Sequence, residues 1–202
     1  MTATMQNISD AIYELKEKFS NDILKTIEFG TIPVVDASSS GQSTILISYA
    51  LDNRGSLISV DHNIKSIEAS KEVCQGRDNI IWIESDSVEY IKKSDEKFHF
   101  AFLDSHSDAE TPFREFCLII PKMITGGIIM VDDAGITEDG QNIDTNIPLC
   151  QKGHKIWQFL KDCNADFLIL RYPTFLSGTQ MKIILDEINI KKIIKALEGI
   201  EK

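Results

Sequence analysis

The chain has 202 residues, 43% of them hydrophobic, and a formal net charge of −10 at pH 7. This length suffices for a substantial core and is most simply accommodated by one domain spanning residues 1–202. The acidic balance argues against nucleic acid as a partner, because binding to a phosphate backbone normally depends on clustered Lys and Arg. No apolar run is long enough to cross a bilayer, no signal peptide is recognisable, and the 4 cysteines form no C-x-x-C pair. We therefore expect a cytoplasmic protein with reduced thiols and no membrane partner.

The N-terminal third is expected to pass from a helix to a strand and a tight turn. Apolar residues recur at helical spacing from Ile8 to Phe29, which predicts an N-terminal helical extension over residues 1–30. A buried strand is then predicted from Ile32, followed by a turn of small residues and a helix that begins near Ser43. Small side chains in such a turn allow a ligand to lie directly on the backbone, against the N–H groups of the next helix.

Strands and helices continue to alternate after this turn. Further strands are predicted at residues 56–60, 80–83, 98–103 and 128–131. Such alternation is typical of a parallel sheet that is covered by helices on both faces. Two final apolar runs, at 167–170 and 181–185, have no helix between them and are expected to pair antiparallel. The predicted fold class is therefore α/β, with seven strands in the sheet.

Aspartate residues follow the predicted strands at the point where each one ends. The carboxyl ends of parallel strands meet in one crevice, which is where open α/β sheets bind ligands. A single aspartate at a strand end is more often a helix cap, but capping alone does not readily account for a whole row of them. The row consists of Asp36, Asp61, Asp86, Asp104, Asp132 and Asp133.

Segment 135–152 has no hydrophobic periodicity. A connection of this length inside a compact domain is usually either functional or disordered. A substrate loop and an unstructured loop are both compatible with its sequence.

The order of these motifs resembles that of the class I S-adenosylmethionine-dependent methyltransferases, most closely the small-molecule O-methyltransferases of the macrocin and catechol type. The resemblance covers about residues 32–185. It is carried by VVDASSSGQST (34–44), SVD (59–61), ESDS (84–87), FLDSHS (102–107) and GGIIMVDD (126–133). It implies a Rossmann-like, doubly wound sheet, mostly parallel, with an antiparallel final strand pair and strand order 3-2-1-4-5-7-6.

The same resemblance implies a cofactor site for S-adenosylmethionine. Asp61 would accept hydrogen bonds from the ribose hydroxyls, and Asp86 and Ser87 would lie at the adenine. The full set of implied cofactor-binding residues is Asp36, Ser38, Ser40, Gly41, Ser43, Asp61, His62, Asp86, Ser87 and Asp104.

The resemblance also implies Mg²⁺ at Asp104, Asp132 and Asp133, whose oxygens are suitable ligands. The metal would orient the acceptor and lower the pKa of its hydroxyl. His106, two residues past Asp104, would take the proton, so these two are the predicted catalytic residues; His154 is a weaker candidate for the base.

Three functions remain open from the sequence. The leading one is O-methylation of a small molecule by an enzyme, with self-association into a homo-oligomer left open. Ser38 and Ser40 stand where the family usually has glycine, which favours a second interpretation, a non-catalytic or degenerate binding protein on the same scaffold. The third is a nicotinamide-dependent oxidoreductase with Asp61 at the ribose, which the absence of a G-x-G-x-x-G fingerprint disfavours.

Overall fold

A computed structural model describes residues 3–31, 43–105, 108–134, 152–171 and 179–200. The described helices are α1 (Ala3–Lys18), α2 (Ser43–Leu51), α3 (Ile64–Val73), α4 (Ser87–Lys93), α5 (Glu110–Ile119), α6 (His154–Asp162) and α7 (Glu187–Ile200). The described strands are β1 (Leu24–Phe29), β2 (Gly55–Asp61), β3 (Ile80–Glu84), β4 (Phe98–Leu103), β5 (Met123–Val131), β6 (Leu168–Arg171) and β7 (Thr179–Ile184).

These strands form one sheet in the order β3-β2-β1-β4-β5-β7-β6. Strands β1 to β5 pair in parallel, whereas β7 runs antiparallel to both β5 and β6. The predicted fold class, the strand order and the antiparallel final pair are all confirmed.

The prediction of a helical extension over residues 1–30 is wrong in its second half. Helix α1 ends at Lys18, and Leu24–Phe29 is the central strand β1, paired with β2 on one side and β4 on the other. All residues of β1 except Lys25 are buried. Apolar residues need not alternate in a strand that is buried on both faces, so the pattern of β1 is also compatible with a helical spacing. The strand predicted at residues 32–35 lies outside the described residues.

Strand β5 also begins earlier than predicted, at Met123 rather than at Ile128. Its register with β4 shifts between Phe98 and Phe100, and Gly126, with a φ of +89°, lies in this irregular part. A glycine with positive φ is typical of such a bulge, which explains why the Gly126-Gly127 pair indicated a turn in the sequence.

Helices cover both faces of the sheet. On one face, α1 and α2 pack on β4 and β5 residues such as Phe100 and Met130. On the other face, α5, α6 and α7 pack on the alternate residues, such as Ala101 and Ile129. Successive side chains of a strand point to opposite faces, so each strand contributes to both layers of the core. Among the described helices, none is long and apolar enough to span a membrane.

Candidate functional site

The carboxyl ends of five neighbouring strands form one continuous edge. Backbone hydrogen bonds continue past the ends of the regular ladders and join these ends to one another. The donors and acceptors are Ser85 N to Asp61 O (3.0 Å), Gly30 N to Val60 O (2.8 Å), Asp104 N to Phe29 O (3.0 Å) and Asp132 N to Leu103 O (3.1 Å). The strand-end side chains of β2, β4 and β5 therefore share one edge of the sheet, as the sequence predicted.

Asp61, at the end of β2, is held by Thr31, two residues after β1, and by the turn that follows β2. Its Oδ2 accepts from the backbone N–H of Thr31 (2.8 Å) and from the Thr31 hydroxyl (3.0 Å). Its Oδ1 accepts from the backbone N–H of Asn63 (2.7 Å), and His62 Nδ1 lies 3.8 Å from the same oxygen. Asp61 does not cap α3, because Asn63 is the N-cap of that helix.

An open cleft lies above this edge, with about 320 Å³ of empty space that includes space open to solvent. Its walls come from the ends of β1, β2, β3 and β4 and from the starts of α4 and α5. The lining residues are Gly30, Val60, Asp61, His62, Ser85, Asp86, Ser87, Ser105 and Thr111. The structure therefore brings four of the predicted cofactor-binding residues to one cleft: Asp61, His62, Asp86 and Ser87.

Asp86 and Ser87 also have structural partners. Asp86 is the N-cap of α4, and its Oδ1 accepts from the backbone N–H of Glu89 at 2.9 Å. The Ser87 hydroxyl donates to Glu115 of α5, as does the hydroxyl of Ser105 at the end of β4. Burial raises the pKa of Glu115 to about 7, against the opposing effect of these two hydrogen bonds. A buried carboxyl thus lies directly beneath two hydroxyls of the cleft.

A second buried carboxyl, Glu28, ties β1 to the first turn of α2. It accepts hydrogen bonds from the hydroxyls of Ser43 and Thr44 on α2 and of Ser59 on β2. Burial raises the pKa of Glu28 to about 7, although the three hydroxyls oppose this effect. Ser43, a predicted cofactor-binding residue, therefore has its hydroxyl directed at Glu28.

The three predicted metal ligands lie close together at the ends of β4 and β5. Asp104, Asp132 and Asp133 each offer a carboxylate oxygen, and these oxygens lie within 4.8 Å of one another. We call these three residues the acidic cluster. Gln180 of β7 donates to Asp132 Oδ1 at 2.9 Å, which orients that carboxylate.

The acidic cluster already contains a cation from the chain itself. Lys152 forms an ion pair with Asp104, and its Nζ lies 3.5 Å from Asp133 Oδ2. Burial alone would lower the pKa of Lys152, but Asp104 and Asp133 outweigh it and raise that pKa above its ordinary value. Burial, with the charge of Asp132, raises the pKa of Asp104, and Lys152 opposes the shift. The carboxylates have the chemistry of Mg²⁺ ligands, but a divalent ion does not fit while the ammonium group stays in contact with them.

Several predicted site residues lie outside the part of the chain that the structure describes. They are Asp36, Ser38, Ser40, Gly41 and His106, together with residues 135–151 of the predicted substrate loop. His154, the weaker candidate for the base, begins α6 two residues after Lys152, and its ring stacks on Trp157 with 6.1 Å between centroids.

The sequence analysis missed several residues of this edge. They are Glu28, Gly30, Thr31, Ser105, Glu115 and Lys152. Glu28 and Gly30 could have been found from the sequence, because the strand-forming residues Thr26, Ile27 and Phe29 stand just before a glycine. Lys152 ends an aperiodic segment, so local patterning gave no signal for it.

Comparisons with known proteins agree with this architecture. A family model described as "Methyltransferase domain" matches residues 38–134. No curated protein sequence matches the chain.

Solved structures share the fold at low sequence identity. An O-methyltransferase from Bacillus cereus in complex with S-adenosylhomocysteine aligns with a TM-score of 0.62 at 16% identity, covering 89% of this chain and 80% of that one. The O-methyltransferase TomG from Streptomyces achromogenes, in complex with S-adenosylmethionine, gives 0.59 at 13% identity, covering 89% and 79%. An rRNA methylase from Streptococcus thermophilus gives 0.58 at 9% identity, covering 91% and 95%.

The fold and the domain match agree with each other. The chain has the Rossmann-like fold of the class I S-adenosylmethionine-dependent methyltransferases, which confirms the predicted resemblance at the level of the fold. Because relatives with this fold include an O-methyltransferase and an rRNA methylase, the fold does not specify the acceptor.

Proposed function

We propose that this chain transfers a methyl group from S-adenosylmethionine to an oxygen atom of a small molecule. The proposal is carried by the open cleft at the carboxyl ends of β2, β3 and β4, where Asp61, Asp86 and Ser87 line one space. S-adenosylmethionine supplies a methyl group bound to a positively charged sulfur. An edge of the sheet rich in carboxylates is favourable for a cation of this kind.

Asp61 is the residue that we assign to the ribose hydroxyls. A carboxylate has about four lone-pair positions, and three of those on Asp61 accept from Thr31 and Asn63. One position therefore remains for a ribose hydroxyl, and displacement of the Thr31 hydroxyl would release a second. Asp86 and Ser87 remain our assignment for the adenine, at the start of α4.

The acceptor is proposed to be a small molecule rather than RNA. The formal net charge of −10 disfavours a phosphate-rich acceptor. Asp104 and His106 stay assigned to the acceptor side of the site, with His106 as the base and His154 as the weaker candidate. Assistance by Mg²⁺ would require Lys152 to leave the acidic cluster, so it is not part of the proposed reaction. The homo-oligomeric state and the cytoplasmic location stay predictions.

Titration calorimetry of the purified chain with S-adenosylmethionine, S-adenosylhomocysteine and NAD tests the cofactor. We expect binding of the first two and not of NAD. Transfer of a labelled methyl group to a panel of hydroxyl-bearing small molecules then tests the reaction. Binding of none of the three compounds would contradict the proposal and favour a non-catalytic protein, whereas binding of NAD alone would favour an oxidoreductase.

A further inference from the structure

We propose that Lys152 is the resident cation of the acidic cluster and takes the place of a divalent metal ion there. This inference rests on the geometry around Asp104 and is independent of the methyl transfer proposed above.

The acidic cluster requires a positive charge. Three carboxylates from the ends of two adjacent strands have oxygens within 4.8 Å of one another, and the Asp104 side chain is only 2% exposed. Like charges at this separation repel, and a buried carboxylate without a compensating cation is costly. Either a metal ion or a basic side chain can supply the missing charge.

Lys152 supplies it from inside the fold. Its side chain is 10% exposed, it forms an ion pair with Asp104, and its Nζ is 3.5 Å from Asp133 Oδ2. The ammonium group therefore occupies a position from which a metal ion would bind at least two of the three carboxylates.

The backbone next to Lys152 is fixed by close packing. A Cβ on Gly153 would lie 3.1 Å from both Cα and Cβ of Ala134, at the end of β5, and 3.2 Å from Met181 Cε. This tight contact places the residue before Gly153 beside the acidic cluster. The position of Lys152 is thus determined by packing of the chain as well as by attraction between charges.

One oxygen of the cluster has no partner among the described residues. Asp104 Oδ2 is buried without a hydrogen bond, while Oδ1 of the same carboxylate pairs with Lys152. A cation that entered in place of the ammonium group would find this oxygen available. We therefore expect that removing the positive charge of Lys152 converts the cluster into a metal site.

The test uses Mn²⁺ as a probe, because its free and bound forms are distinguished by electron paramagnetic resonance. The full-length chain is titrated as wild type, Lys152→Met, Lys152→Gln and Lys152→Met/Asp104→Asn. Lys155→Met is the matched control, because Lys155 is a nearby lysine whose ion pair with Glu110 is exposed. Circular dichroism reports whether each variant is folded.

We expect no saturable Mn²⁺ site in the wild type or in Lys155→Met. Lys152→Met and Lys152→Gln should gain one site per chain, at least about tenfold tighter than any residual binding to the wild type, because a positive charge in contact with the ligands has been removed. The variant Lys152→Met/Asp104→Asn should lack this Mn²⁺ site.

Two results would overturn the proposal. One is a wild-type chain that binds one Mn²⁺, in competition with Mg²⁺, with an affinity equal to that of Lys152→Met. The other is a folded Lys152 variant that gains no site. Should neither Lys152 variant fold, the wild-type titration alone decides: saturable binding of one Mn²⁺ overturns the proposal, and its absence supports it.

Discussion

A Cβ placed on Gly30 would lie 2.5 Å from the backbone carbonyl oxygen of Asp104 and 2.9 Å from its carbonyl carbon. Gly30 directly follows β1 and has a φ of +92°, and Asp104 directly follows β4, so the two strand ends are in direct contact. The cleft around Asp61 lies on one side of this contact, and the acidic cluster lies on the other. The absence of a side chain at position 30 allows both halves of the site to share one edge.

Gly30→Ala should destabilise the fold by about 2–5 kcal/mol. Positive φ costs a residue with a Cβ about 1–2 kcal/mol, and overpacking against backbone atoms adds about 1–3 kcal/mol. Urea unfolding followed by circular dichroism measures this loss. Binding of S-adenosylhomocysteine should weaken as well, since the Cβ would push Asp104 and Ser105 away from β1.

Gly76→Ala separates the cost of positive φ from the cost of overpacking against the backbone. Gly76 has a similar φ of +80°, but among the described residues other than its chain neighbours no atom lies within 4 Å of a Cβ built there. It should therefore lose only about 1–2 kcal/mol, the cost of positive φ. Equal losses for both substitutions would show that the contact with Asp104 is unimportant.

Most of the fold could be predicted from the sequence, because strands β2 to β5 are short apolar runs that alternate with helices. The central strand β1 could not, because Ile23, Ile27 and the helix α1 before it share one helical spacing. Only pairing with β2 and β4, which sequence periodicity does not contain, determines that Leu24–Phe29 is extended. The error misplaced the first strand but left the predicted strand order intact.

The site residues that could be predicted from the sequence are those at the ends of strands. Asp61 is the last residue of β2, and Asp104 and Asp132 directly follow β4 and β5, so their place on one edge follows from parallel pairing. Lys152 and Glu115 reach this edge from distant parts of the chain, through close packing of Gly153 against Ala134 and of α5 against α4. Contacts of this kind depend on tertiary packing and have no local pattern.

Asp61→Ala should weaken the binding of S-adenosylhomocysteine about tenfold or more. A charge-assisted hydrogen bond contributes roughly 1.5–3 kcal/mol, and at least one to the ribose would be lost. Calorimetry of wild type and variant measures the difference. Asp78→Ala removes an exposed aspartate just before β3, at the opposite edge of the sheet, and should leave the affinity unchanged. Equal affinity of Asp61→Ala and wild type would remove Asp61 from the cofactor site.

The two buried carboxyls should make stability depend on pH. The pKa values of Glu28 and Glu115 rise from 4.5 to about 7 on folding, mainly through burial. Between these values the unfolded chain loses protons that the folded chain retains, so the free energy of unfolding falls as pH rises through this window. Each group contributes about 3 kcal/mol to that fall.

Glu115→Gln should therefore lose less stability than wild type when the pH is raised from 5 to 8. Some other groups change the stability with pH in the opposite direction, such as His99, whose pKa is lowered by burial. Their contributions cancel when the variant is compared with the wild type. Glu68→Gln, at an exposed position of α3, is the control and should follow the wild type. Parallel stability curves for wild type and Glu115→Gln would show that Glu115 is ionised in the folded chain throughout.

The ion pair between Lys152 and Asp104 should behave as a coupled unit in unfolding experiments. Removing one partner of a buried pair leaves the other charge uncompensated and costs about 3–5 kcal/mol, so Lys152→Met and Asp104→Asn should each be strongly destabilising. The double variant leaves no unpaired charge at these two positions and should lose clearly less than the sum of the single losses. Urea unfolding of the four chains gives the coupling energy. The exposed pair of Lys155 and Glu110 provides the comparison cycle, for which coupling below about 1 kcal/mol is expected. Additive losses at Lys152 and Asp104 would mean that the ammonium group does not compensate the buried carboxylate in solution.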